Sequence, residues 1–222
     1  QFQFNAYVDL SPVWLGERSG MHDQEDAIAF DEISKTFTAK DQGNPWFAVW
    51  GTSEGVGLNP ESEISCSYSP IGKGTSSGFS LDLKLPAGSE QIIPIFIAGS
   101  TESEIKAKQS LVDLRENLTQ DWFAKKRRYE ALSQLSEIQI PDSALQQAFQ
   151  WIKYNTDWLV REVPGIGRGF GAGLQDYPWW FGVDTEYTVQ GLIATGRKDL
   201  LYDALELIHN LSEKENGNGR IV

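Results

Sequence analysis

Gln91-Ile92-Ile93-Pro94-Ile95-Phe96-Ile97-Ala98-Gly99 is the last stretch that reads as strand, and beyond it Ala107, Leu111, Leu114, Leu118 and Trp122 recur three or four apart. A strand turns successive side chains to opposite faces, whereas apolar residues three and four apart share one face of a helix. The chain therefore changes near residues 98–104 from a β part to an α part. Lys and Glu fill the other face of the new helix, which is expected to continue through Lys125-Lys126-Arg127-Arg128. That basic run reads as a solvated helical surface.

Upstream, Phe2, Phe4, Ala6, Val8 and Leu10 alternate with other residues at period two, and the alternation returns in Phe79-Ser80-Leu81-Asp82-Leu83-Lys84-Leu85. Shorter strands are expected at 27–30, 35–39, 46–50 and 64–68, separated by turn formers such as Gly43-Asn44-Pro45 and Gly72-Lys73-Gly74. With no helical period between them, these strands predict an antiparallel β-sandwich over residues 1–99.

Downstream, a helix opens at Pro141-Asp142, where Asp142 can cap it, and carries Leu145, Ala148, Phe149 and Ile152 on one side. Gly165, Gly167, Gly169, Gly171 and Gly173 then occupy every second position. A dinucleotide fingerprint needs a strand before its glycines and a helix directly after them, and neither is read here. The glycines are expected to form a long loop, or to bring backbone close to a ligand at the rim of a site. Two helices follow, at 184–195 and 198–211, with Gly196 placed to end the first and Leu200, Leu201, Ala204, Leu205 and Ile208 marking the buried stripe of the second. Together they predict a helical hairpin.

A net charge of −12 repels phosphate backbones and anionic lipid, so neither nucleic acid nor a membrane surface is expected as a partner. Pro94 interrupts the longest apolar run, which is far shorter than the ~20 residues that span a bilayer. No signal peptide is read at the start, and the lone Cys66 rules out an internal disulfide and any multi-cysteine metal site; the expectation is a cytoplasmic protein with no metal and no cofactor. Two sequons, at Asn117 and Asn210, fall on predicted helices and are not read as glycan sites. His22-Asp23-Gln24-Glu25-Asp26 is acidic, but it lacks the spaced ligands of a calcium loop and reads as a solvated loop. His22 and His209 have no serine or cysteine partner that would suggest a triad.

Chemistry concentrates in Asp176-Tyr177-Pro178-Trp179-Trp180-Phe181-Gly182-Val183-Asp184-Thr185-Glu186-Tyr187. Flat rings cover the C–H faces of a pyranose, while carboxylates accept strong hydrogen bonds from its hydroxyls. The same residues also suit a core: Trp179, Trp180 and Phe181 as buried aromatics and Asp184 as a helix N-cap.

This segment, with Gln190-Gly-Leu-Ile-Ala-Thr-Gly196-Arg197 after it, resembles the aromatic-Gly-x-Asp-Thr and Gly-Leu-hydrophobic-x-Ala-Thr-Gly-Arg stretches of bacterial and archaeal amylo-α-1,6-glucosidase (glycogen-debranching) proteins, which are six-hairpin, (α/α)6-barrel glycosidases. Asn218-Gly219-Arg220-Ile221-Val222 resembles the start of their Gly-Arg-Ile-x-His-Glu stretch, and Asp9-Leu-Ser-Pro-Val-Trp14 and Asn44-Pro-Trp-Phe-Ala-Val-Trp50 resemble parts of the preceding sandwich. Where the family usually carries Arg before the key Asp, this chain has Val183. The resemblance implies a β-sandwich over 1–99, a helical linker over 100–140, and over 141–222 the truncated start of an (α/α)6 catalytic barrel. Twelve helices of about 12 residues need well over 200 residues past the sandwich, so the barrel is expected to be incomplete here. Apolar surface is then expected to be exposed on the helices at 142–158 and 198–211.

By motif position, Asp184 would hold the non-reducing sugar of an oligosaccharide or α-glucan, with Tyr177, Trp179, Trp180 and Phe181 lining it and Glu186 nearby. Inverting hydrolysis needs a general acid and an opposed general base; the resemblance puts that pair downstream of Val222. The expected activity is glycoside hydrolysis of α-glucans, and the remainder of the same enzyme is an expected partner. A non-catalytic carbohydrate-binding or assembly module, or a barrel glycosidase for mannose or rhamnose, is the alternative.

Overall fold

The computed structural model describes residues 1–13, 15–53, 59–62, 73–173 and 177–218. The strand expected at 64–68, Cys66, Trp14, Asp176 and the segment 219–222 lie outside them. Two compact units divide the chain, Gln1–Asp121 and Trp122–Val222.

In the first unit the strands are β1 (Phe2–Val8), β2 (Asp26–Asp31), β3 (Thr36–Asp41), β4 (Phe47–Thr52), β5 (Asn59–Ser62), β6 (Thr75–Leu81) and β7 (Ile95–Ser100). They form two antiparallel sheets, ordered β1-β6-β5 and β2-β3-β4-β7. Period-two alternation sets the register: Phe4 lies opposite Phe79, and their rings meet at 5.5 Å. Phe37, Ala39 and Trp50 of the four-stranded sheet share one buried cluster with Phe79 and Leu81 of the three-stranded sheet. Trp50 stacks on Phe37 at 5.5 Å and 11°, and each buried ring of this kind contributes about 1.5–3 kcal/mol.

Helix α1 (Glu104–Gln134) opens four residues after β7 ends, in the window where the sequence changes period. Its first turns are more than a connector. Ala107 and Leu111 are buried with Val49 and Phe96 on the outer face of the four-stranded sheet. That sheet is thus covered on both faces, which is why β4 reads as the continuous apolar run Phe47-Ala48-Val49-Trp50 rather than as an alternation.

The second unit holds the end of α1, then α2 (Ser143–Trp158), β8 (Val160–Val163), β9 (Gly167–Phe170), α3 (Gly182–Ala194) and α4 (Lys198–Asn216). Asp142 caps α2, accepting the amides of Ala144 at 2.8 Å and Leu145 at 3.1 Å. The buried Lys153 donates to the carbonyls of Ser133 and Leu135, where α1 ends. Between α3 and α4 the chain closes as a Schellman turn: Arg197 N–H reaches the Leu192 carbonyl at 2.9 Å, Gly196 N–H reaches Ile193, and Gly196 takes φ +78°.

The glycine-rich segment departs from the expected loop. Residues 160–170 are a two-stranded antiparallel hairpin, turned at Gly165 with φ +76°. A Cβ at Gly167 would lie 2.9 Å from Leu207 of α4, and one at Gly169 would lie 2.6 Å from it. The glycines therefore strip β9 of side chains where it lies on Leu207 of α4. α4 follows its expected buried stripe at Leu200, Ala204 and Ile208, with Leu207 buried where Leu205 was expected. Because α3 and β9 cover that stripe, the apolar exposure expected on this helix is reduced to Tyr202 and Leu205. Apolar exposure on α2 is broader: Leu145, Trp151, Ile152 and Trp158 all face solvent.

Candidate functional site

The aromatic run at 177–181 is fixed by backbone. Gly173 N–H donates to the Tyr177 carbonyl at 2.8 Å, Ala172 N–H to that of Trp179 at 3.1 Å, and the Arg161 guanidinium of β8 to that of Pro178. Held this way, the neighbouring rings diverge. Tyr177 and Trp179 stay exposed at 50% and 38%, whereas Trp180 is half-buried, 3.5 Å from where a Gly169 Cβ would stand and with Arg161 over its ring at 5.9 Å. Phe181 is half-buried as well, and it is the N-cap residue of α3 in extended conformation. Trp180 and Phe181 are thus drawn further into packing, while Tyr177 and Trp179 leave more of their surface exposed.

Asp184 is not the N-cap. α3 begins at Gly182, two residues earlier than the sequence indicates, because the Phe181 carbonyl already accepts the Thr185 amide at 3.0 Å and the Thr185 hydroxyl at 2.8 Å. Asp184 sits in the first helical turn, where the positive end of the helix dipole favours its charge. It is exposed, and among the described residues its carboxylate has no hydrogen-bond or ion-pair partner. Glu186 is exposed but two residues on, so it points away from Asp184; Tyr187, 73% exposed at i+3, shares the Asp184 face instead. Tyr187 is an exposed ring on that face which the motif reading passed over.

A cleft of about 500 Å3 opens between the β8–β9 turn and α4, lined among others by Glu162, Arg168, Asp203, Glu206 and Asn210, and no residue of 177–187 lines it. The second unit also holds an ionic network absent from the sequence reading. Asp157 on α2, 5% exposed at its side chain, accepts Arg128 Nε at 2.8 Å, Arg128 Nη2 at 2.6 Å and Arg197 Nη1 at 3.1 Å. Burial pushes the Asp157 carboxyl up, but the two guanidinium groups outweigh it and hold it below the ordinary value. Arg128, read from sequence as part of a solvated basic face, is thus the anchor of α1 on α2. Arg197, part of the family-like Gly196-Arg197 pair, is buried and also meets Asp199 at 3.3 Å.

Among the described residues, no group of three or more His, Cys, Asp or Glu side chains is arranged to hold a metal ion, and no helix is long and apolar enough to cross a membrane. No family model matches the chain, and no curated protein or solved structure matches it at the significance required of a relative.

Proposed function

We propose that this chain belongs to a cytoplasmic glycoside hydrolase acting on α-glucans, and that its helical unit supplies the first hairpins of an (α/α)6 barrel. The observation that carries the proposal is the exposed carboxylate of Asp184, unpartnered among the described residues, in the first turn of α3 after the Tyr177 and Trp179 rings. A carboxylate in that state is ready to accept charge-assisted bonds from sugar hydroxyls, and the rings offer apolar faces to a pyranose. The order of antiparallel sheets followed by helices agrees with the reading. So does the exposed apolar face of α2, which neighbouring hairpins of a barrel would cover.

In this reading Asp184 binds and orients the terminal glucose, and the general acid and base that cleave the glycosidic bond come from further hairpins of the same enzyme. The test is glucose release from maltooligosaccharides by the complete gene product, compared with its Asp184→Asn variant. Release that falls at least tenfold in the variant supports the proposal. A complete product that binds the oligosaccharide and releases nothing would replace it with a carbohydrate-binding module.

A further inference from the structure

Four aspartates converge where the three-stranded and four-stranded sheets of the first unit are tied together. Asp26 opens β2 and is 9% exposed; its Oδ2 accepts the Leu10 amide, just past β1, at 2.8 Å. Its Oδ1 is buried with no hydrogen-bond partner, and so is one carboxylate oxygen each of Asp9 and Asp23. Asp41, its cross-strand partner on β3, is saturated by the Gln24, Gly43 and Asn44 amides and the Asn44 side chain. Lys73 gives its ammonium to the Asp23 carbonyl at 3.0 Å, while its own carbonyl accepts the Asp26 amide at 3.1 Å. The adjacent Glu25 is exposed.

Asp41 can remain ionised because four donors serve it. The other three carboxylates have buried lone pairs aimed at no donor, and a buried acceptor left in that state is expensive. A proton on Asp26 relieves the cluster, since it cancels one charge and turns one unpartnered acceptor into a donor. We propose that Asp26 is a proton-operated clasp where the Leu10 segment meets β2: protonation stabilises the junction by relieving repulsion with Asp9, Asp23 and Asp41, whereas ionisation strengthens the single Leu10 N–H bond but leaves a buried charge among those carboxylates, for a net loss of stability. Burial first, and then these neighbouring carboxylates, raise the Asp26 carboxyl to about 6 against the Leu10 hydrogen bond, which pulls the other way.

The sign follows from that direction. A carboxyl raised in the folded state favours folding below its ordinary value of 3.8, and the contribution fades as pH rises towards about 6. From this group alone the folding equilibrium constant should fall roughly a hundredfold across that window. The experiment follows the unfolding of residues 1–121 within the full chain between pH 4 and pH 7.5, for the wild type and Asp26→Asn, alongside carboxyl NMR titration of the wild type. We expect Asp26 to titrate near pH 6 and the wild-type to Asn ratio of folding constants to fall with pH. Asp26 titrating below pH 4.5 would overturn the clasp. Should Asp26→Asn not fold, Asp9→Asn and Asp23→Asn serve instead: each should lower the Asp26 midpoint, and an unchanged midpoint in both also overturns it. Added Ca2+ at pH 7.5 is the last arm. Stabilisation by Ca2+ that disappears in Asp9→Asn would mean that a metal ion, and not a proton, fills the cluster.

Discussion

Replacing Asp157 by Asn keeps the volume of the side chain and removes the charge that Arg128 and Arg197 share. Three hydrogen bonds change from charge-assisted on both sides to charged on one side, and the Asn amide nitrogen turns a donor towards a guanidinium donor. At about 1 kcal/mol of lost charge assistance per bond, the gross effect is about 3 kcal/mol. Two features reduce it: the Arg128 side chain is 53% exposed and regains water, and Arg197 retains Asp199 at 3.3 Å. The expected loss is therefore about 2–3 kcal/mol, placed in the second unit. Amide hydrogen exchange along α2, read during denaturant titration of the full chain, separates this loss from events in the first unit. The wild type should also lose this contribution in acid, below the ordinary carboxylate value of 3.8, because Asp157 is held below that value in the folded state. Asp157→Asn should lack that acid-dependent part. A variant within about 0.5 kcal/mol of wild type, with α2 exchange unchanged, would refute the claim that this network joins α1, α2 and the α3–α4 turn.

For the hairpin, Gly169→Ala should destabilise the second unit by about 1–3 kcal/mol, since its Cβ would stand 2.6 Å from the buried Leu207; adding Leu207→Ala should give a double variant less unstable than the sum of the two singles, and strict additivity in thermal melts would speak against the contact. Lys153→Met removes the donor that serves the Ser133 and Leu135 carbonyls, so it should fray the end of α1 at a cost of about 1–3 kcal/mol, seen as faster amide exchange around residues 132–136. Asp184→Asn should shift stability by no more than about 1 kcal/mol, because Asp184 contributes only a dipole term to α3, while activity of the complete enzyme falls at least tenfold; native activity with a native melting temperature would remove Asp184 from the site.

The passage from strands to helix was legible because it rests on period alone, which burial of one face imposes on any sequence. β5 was not legible. Asn59-Pro60-Glu61-Ser62 has no alternation, and as the edge strand of β1-β6-β5 it tolerates a proline that an inner strand would not. β9 was hidden for another reason, since Gly167 and Gly169 present bare backbone to α4 and leave no apolar pattern to count. At the candidate site the aromatic run and Asp184 were readable as a group. Which rings face outward was not, because that depends on Arg161 and Gly169, both distant in sequence from the run. The Asp157 network joins residues 29 and 40 positions apart, and no local rule links such partners before the helices have packed.

The hairpin lying on Leu207 carries a consequence for how this protein can vary. Positions 167, 169 and 207 share one fixed volume, so drift at any one of them is conditional on the others. In descendants of this sequence, an alanine or serine at 169 should become established only after 207 has shrunk to valine or alanine, and a larger residue at 207 should keep both glycines in place. A pattern of paired replacement, invisible in any single sequence, is the imprint that a backbone-to-helix contact leaves on a lineage.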